Sequence, residues 1–227
     1  MNRWKASGTH FLLSLLVIGG IAVAAFLLWY PYALHRVSGL DRILLIMLGI
    51  DLTAGPLLTL IVYRPNKPSL KFDLATIVVL QLAFLGYGLH TLWEGRPVFL
   101  VGVDNQFTLI FANEIDRANL AEAPRPEWCR LSWTGPQLVG TRMPTDPGQR
   151  REVMESFMSG GAGIERSPKY YLDFGQVAPA LLASANPPRP GDADVQAAPW
   201  VPIVSRRGEG RMLVDPANGQ PVRVVAP

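Results

Sequence analysis

"GIDLTAGPLLTLIVYRPNKPSL", residues 49–70, sets an acid (Asp51), a glycine (Gly55) and a proline (Pro56) inside an apolar run and closes that run with a basic, proline-punctuated turn. Crossing the hydrocarbon of a bilayer takes about 20 apolar residues. Counted outward to Ile43 and Tyr63, the run is long enough, and Phe11 to Tyr30 and Leu74 to Trp93 make two more of the same kind. Arg3 and Lys5 precede the first run, which contains Ala22-Val23-Ala24, the outline of a cleavable signal. The run continues to Trp29 and Tyr30, too long for a signal h-region and closed by aromatics of the kind that settle at a membrane interface, so it reads as an uncleaved helix.

The 227 residues divide into two unlike parts. Residues 1–93 are mostly apolar and read as a three-helix transmembrane domain, with helices at about 11–30, 43–63 and 74–93. Residues 94–227 hold most of the arginines, acids and prolines and read as a small α+β domain. The formal net charge of +3 comes from scattered arginines with no Lys/Arg block, which argues against a nucleic-acid partner. Lys and Arg near helix ends set orientation. Arg3 and Lys5, then Arg64, Lys67 and Lys71, outweigh Arg36 and Arg42 near His35. This bias places the N-terminus and the 64–72 turn in the cytoplasm, and the 31–41 loop and the second domain outside, which in a bacterium is the periplasmic face of the inner membrane.

In the second domain, "RPVFLVGVDNQFTLIFANEI" predicts strands Pro97 to Val103 and Phe107 to Phe111 around an Asp104-Asn105 turn. "DPGQRREVMESFMSGG" predicts a helix with Asp146 as N-cap, Pro147 in its first turn and Gly160 at its end. "APALLASANPPRPGDADVQAAP" predicts a short helix running into a Pro- and Ala-rich surface loop. Two or three further strands follow, broken by Gly208 to Gly210 and by Pro216 to Gly219.

Histidine occurs only at His10, His35 and His90, so a Ser-His-Asp, Cys-His or His/Cys zinc site built within residues 96–227 is excluded. Ser167 and Lys169, two apart around a proline, read as a solvated turn, and "SGGAG" at 159–163 follows a helix as a cap and linker and lacks the Lys-Ser/Thr of a phosphate loop. Cys129 is the single cysteine, so no intrachain disulfide forms, and it reads as a small buried hydrophobe. No catalytic, cofactor-binding or metal-binding residue is expected, and the chain does not read as an enzyme.

Asp51 lies ~3 Å from the midpoint of its span, where an Asp costs roughly 2.5–3.5 kcal/mol on insertion. An intramembrane aspartyl protease would need two carboxylates, and Asp41 and Asp73 sit at helix ends on opposite membrane faces. An ion path finds little room among three helices. Two readings stay open. Asp51 is an internal clasp, with the Tyr87 hydroxyl reaching it and Gln81 serving the Leu52 carbonyl that Pro56 frees; Tyr87 and Asp51 lie ~20 and ~18 Å from the cytoplasmic end, Gln81 and Pro56 ~10 Å. Alternatively Asp51, Gly55, Pro56, Gln81 and Tyr87 receive another protein's helix. Small residues suited to close approach are Gly19, Gly20, Ala24, Gly49, Gly55, Gly86 and Gly88, and packing among the three helices is expected to take up most of them.

"WYP" at 29–31, "GIDLTAGPLLTLIVY", "LKFDL" at 70–74, "LQLAFLGYG" at 80–88 and "RPVFLVGVDNQF" at 96–107 together resemble the type IV pilin accessory proteins of the TfpX/TfpZ family. The resemblance covers residues 10–115 and thins after 120. It implies an inner-membrane accessory or chaperone that assists the stability, assembly or surface display of a cognate major type IV pilin, with the lipid bilayer and the pilus assembly machinery as further partners. It brings no catalytic residue. The readings from other classes are a pilin-modifying enzyme with an unrecognised site and a small transport or signalling subunit using Asp51.

Overall fold

A computed structural model describes residues 2–115, 117–159, 163–188 and 198–225. They form two compact units, one of Met1–Leu27 with Leu40–Glu94, the other of Leu28–Gly39 with Gly95–Pro227.

The first unit is built on three helices long and apolar enough to cross a membrane, α1 (Arg3–Trp29), whose last two residues fall in the second unit, α2 (Leu40–Val62) and α3 (Leu70–Glu94). Their outer faces are apolar, with Leu16, Leu27, Leu45 and Val79 all mostly exposed, a surface that suits hydrocarbon rather than water. The turn between α2 and α3 is closed by Lys67, whose ammonium lies 2.5 Å from the Asp73 carboxylate, while Ser69 Oγ donates to the same oxygen at 3.2 Å.

Within α2 the backbone widens to a π-helical turn over Ile50–Ala54. Proline at 56 cannot donate. In the π register the acceptor it leaves open is five residues back, at Asp51, not four back at Leu52. Gln81 Nε2 accordingly donates to the Asp51 carbonyl at 3.3 Å. A side-chain amide on α3 thus serves a freed carbonyl as expected, one residue earlier than α-helical counting gives. The small residues divide against expectation. A Cβ on Gly55 would lie 2.0 Å from Gln81 Nε2, and one on Gly88 would lie 2.9 Å from Met47 Cε, so these two permit close helix contact. Around Gly19, Gly20, Gly49 and Gly86 a Cβ meets nothing within 4 Å.

The second unit is a seven-stranded mixed sheet. Its strands are β1 (Pro97–Val103), β2 (Gln106–Phe111), β3 (Gln137–Thr141), β4 (Tyr171–Leu172), β5 (Trp200–Ser205), β6 (Gly208–Val214) and β7 (Pro221–Val225). Their order is β4-β3-β1-β2-β5-β6-β7. β1 and β2 form the expected hairpin, β3 runs parallel to β1, β5 runs parallel to β2, and the remaining pairs are antiparallel. The central strands are buried along nearly their whole length, as strands covered on both faces are. Phe99 packs edge-on against Tyr171 with ring centroids 5.0 Å apart, and Phe107 stacks on Phe174 at 5.8 Å.

Helix α4 (Pro147–Met158) is capped as expected, Gln149 N–H donating to the Asp146 carboxylate at 2.8 Å, and α5 (Ala178–Ala183) is the short helix expected ahead of the Pro- and Ala-rich loop. Gly160 and most of the Pro- and Ala-rich loop lie outside the described residues.

Gly208 to Gly210 do not break a strand; they begin β6, and the turn falls at Arg206-Arg207. The segment Leu28–Gly39 supplies the reason. A Cβ on Gly210 would lie 3.0 Å from the Val225 carbonyl and 3.1 Å from Val37 Cγ1, so the glycine permits close approach rather than a turn. Ser205 Oγ donates to the Val37 carbonyl and Arg207 Nη1 to the Ser38 carbonyl at 3.3 Å, which ties the segment to the β5–β6 turn.

Candidate functional site

The three apolar helices line an open, cleft-like cavity of about 410 Å³. α1 contributes a polar stripe, because Ser7, His10 and Ser14 recur at helical spacing on one side of an otherwise apolar element. Ser7 Oγ donates to the Pro56 carbonyl at 2.8 Å. His10 Nδ1 and Thr59 Oγ1 share a hydrogen bond at 2.6 Å, its direction set by the imidazole tautomer. These bonds hold α1 against the stretch of α2 just beyond its π-turn.

Asp51, His10, Ser14, Thr59 and Gln81 line the cavity, and the rest of the wall is largely apolar, from Val17 and Ile18 on α1 to Leu82 and Leu85 on α3. Asp51 is 5 % exposed, and its Oδ1 is buried with no hydrogen-bond partner. A buried carboxylate oxygen without a partner is costly unless a donor or a cation reaches it. Among the described residues lining the cavity there is no Lys or Arg. The cavity therefore supplies an unpartnered acceptor in a largely apolar wall.

Of the five residues read from sequence, Asp51 and Gln81 line the cavity, Gly55 makes room for the Gln81 amide, and Pro56 is buried under Ser7. Tyr87 does not clasp Asp51; it lies 73 % exposed on the outer side of α3. Comparing heights along antiparallel helices places residues at one level but leaves their facing undetermined, and here the phenol faces outward. Ser7, His10 and Thr59 were missed. Their signal was present, as polar residues at helical spacing near a run end, but it reads equally as the polar cap of a span.

In the second unit Ser167 is buried, contrary to the solvated-turn reading, and donates to the Gly163 carbonyl at 3.4 Å. Lys169 is paired with Glu152, which raises its pKa, so it stands protonated and unfit to serve as a base for Ser167. Cys129 is half-buried rather than in the core, its thiol turned toward the Ala123 and Arg125 carbonyls at 3.6 and 3.4 Å. Glu114 gathers Arg166 and Arg206 at 3.4 and 3.9 Å beside a smaller polar pocket of about 220 Å³. Among the described residues no three His, Cys, Asp or Glu are gathered closely enough to hold a metal ion.

A family model for the fimbrial assembly protein FimB matches residues 1–39. Three fimbrial assembly proteins of Dichelobacter nodosus are similar to the chain. That of serogroup I is 29 % identical over 185 residues, spanning 81 % of this chain and 71 % of the relative. That of serogroup E1 is 28 % identical over the same length, with the same shares. That of serogroups C1 and C2 is 37 % identical over 99 residues, spanning 43 % of this chain and 76 % of the relative. No solved structure matches the chain.

Proposed function

The chain belongs to the family of the fimbrial assembly protein FimB, and from that membership and the cavity at Asp51 we propose that it is a non-enzymatic accessory or chaperone for a cognate major type IV pilin. Its role is in fimbrial assembly. The protein sits in the bacterial inner membrane with its N-terminus cytoplasmic and its sheet unit periplasmic, and holds a pilin subunit before that subunit enters the fibre.

One observation supports this reading above the others: the unpartnered, buried Oδ1 of Asp51 in a cavity whose described lining has no Lys or Arg. The resemblance implies a client held in the inner membrane by an apolar N-terminal helix, whose mature form can offer its N-terminal amine. A helix about 10 Å across with a 5.4 Å pitch fills on the order of 400 Å³ per turn. The open cleft, about 410 Å³, is of the order of one such turn. At ~4 Å and an effective dielectric near 20, an ammonium beside Asp51 gains roughly 4 kcal/mol of Coulomb energy, from which desolvation is subtracted.

The test is co-purification of the cognate pilin with the Asp51→Asn variant, normalised to accessory level. The amide keeps the shape of the side chain and removes its charge. The expected result is normal abundance and membrane insertion with pilin capture reduced several-fold. Undiminished capture would return Asp51 to a role in helix packing alone, and a covalently altered pilin after incubation would favour a modifying enzyme.

A further inference from the structure

The loop carrying Trp133 offers a surface that the cavity does not explain. Trp133 is 73 % exposed, an unusual state for the largest side chain on a folded domain. Its backbone is tightly held. Trp29, the last residue of α1, donates its indole N–H to the Trp133 carbonyl at 2.8 Å. Arg96, two residues beyond the end of α3 in sequence, is buried and donates Nε–H to the adjacent Ser132 carbonyl at 3.0 Å. Gly135, at φ +73°, lies so close to the Leu28 carbonyl that a Cβ would meet it at 3.1 Å. Residues that leave two membrane-length helices thus grip consecutive carbonyls of one loop.

The sheet gives the loop an unambiguous end. β1 starts at Pro97, beside Arg96, and β3 runs parallel to it from Gln137, paired with Phe99, so residues 131–136 feed the end of the sheet nearest Arg96. The Asp104-Asn105 turn caps the opposite end of β1, ~20 Å away at about 3.3 Å per residue. That far end presents exposed polar residues, while the near end presents an indole.

We propose that Trp133 is a membrane-interface anchor, its indole lodged at the headgroup level at which Trp29 ends α1. Trp combines a large apolar ring with one N–H donor, and favours the interface where one end is apolar and the other wet. Trp29 closes α1 at that level and holds Trp133 directly, so the two indoles continue one belt. This inference rests on the three helices spanning a membrane, and is independent of what the Asp51 cavity binds.

The experiment uses the full chain with Cys129→Ser, reconstituted in phosphatidylcholine–phosphatidylglycerol vesicles carrying a nitroxide at the headgroup or deep in the acyl chain. A fluorophore is placed through Trp133→Cys, Thr134→Cys, Asn105→Cys or Leu16→Cys, one at a time. Thr134→Cys leaves the indole in place should loss of Trp133 disturb folding. Expected are loss of emission at 133 and 134 with the headgroup nitroxide only, at Leu16, the middle of α1, with the deep nitroxide, and at Asn105 with neither. Loop probes that stay bright while Leu16 is quenched, or that respond only when a second protein is added, overturn the anchor and leave the spanning helices standing. A Leu16 probe unaffected by either nitroxide overturns the spanning helices and the anchor with them.

Discussion

Gly55 and Gln81 act as one device. The missing Cβ lets the amide of Gln81 lie against α2, and the amide takes the carbonyl that Pro56 leaves open. Gly55→Ala drives a methyl into the Gln81 side chain, which must swing away and release that carbonyl. The expected cost is about 1 kcal/mol, the worth of one buried hydrogen bond. A lowered thermal midpoint of the detergent-solubilised protein would measure it. In a Gln81→Ala background the same substitution is expected to cost far less, and an undiminished cost there would show that the two residues are not coupled. Cys129 is a simpler case. Its thiol faces two carbonyls that a serine hydroxyl can serve equally, so Cys129→Ser is expected to leave pilus production unchanged. Lost production at a normal protein level would point to thiol chemistry instead.

Among the elements, α4 is the one whose boundary chemistry was readable from sequence. Asp146 accepts from the Gln149 N–H, and Pro147 occupies a position whose N–H has no helical partner. Asp146→Ala is expected to destabilise the protein by about 1 kcal/mol and Asp146→Asn by much less, read from the denaturation midpoint. Equal losses would mean that the charge near the helix start, not the cap bond, carries the effect. β6 shows the opposite situation. Its two glycines have the local signature of a turn, yet they lie in a strand because the segment around Val37 approaches it. β3 and the two-residue β4 carry too little alternation to be seen, and exist because β1 offers β3 a buried edge.

For the molecule as a whole, two expectations follow. The Lys/Arg bias predicts that a reporter active only in the periplasm works when fused after Pro227 and is silent when fused at Asn66; the reverse pattern would invert the orientation. The sheet unit should also lose stability in alkali. Tyr171 is 1 % exposed, packs against Phe99 and Trp128, and donates its phenol to the Glu165 carbonyl at 2.7 Å. Burial pushes its pKa well above the ordinary value of 10.0. The folded state thus holds the proton more tightly than the unfolded state does. The resulting stability is fully present below about pH 10 and is lost as pH rises from there through the folded-state value. Denaturation midpoints across that range should fall, and Tyr171→Phe, less stable at neutral pH for want of the hydroxyl bond, should flatten the fall. An equally steep decline in Tyr171→Phe would assign it to another group.

Local chemistry was enough for the three apolar spans, the β1–β2 hairpin around Asp104-Asn105, the capped helix at Asp146 and the isolation of Asp51 in an apolar run. Span length, alternation, caps and the cost of a buried charge all act between residues near in sequence. The facing of Tyr87, the bonds of Ser7 and His10 to α2, the passage of Gly208 and Gly210 into a strand and the pairing of Leu28–Gly39 with the sheet were settled only in three dimensions. Each depends on which side chain arrives from a distant element, and neither the rotation of a helix about its axis nor the pairing of distant strands is written in the residues beside it.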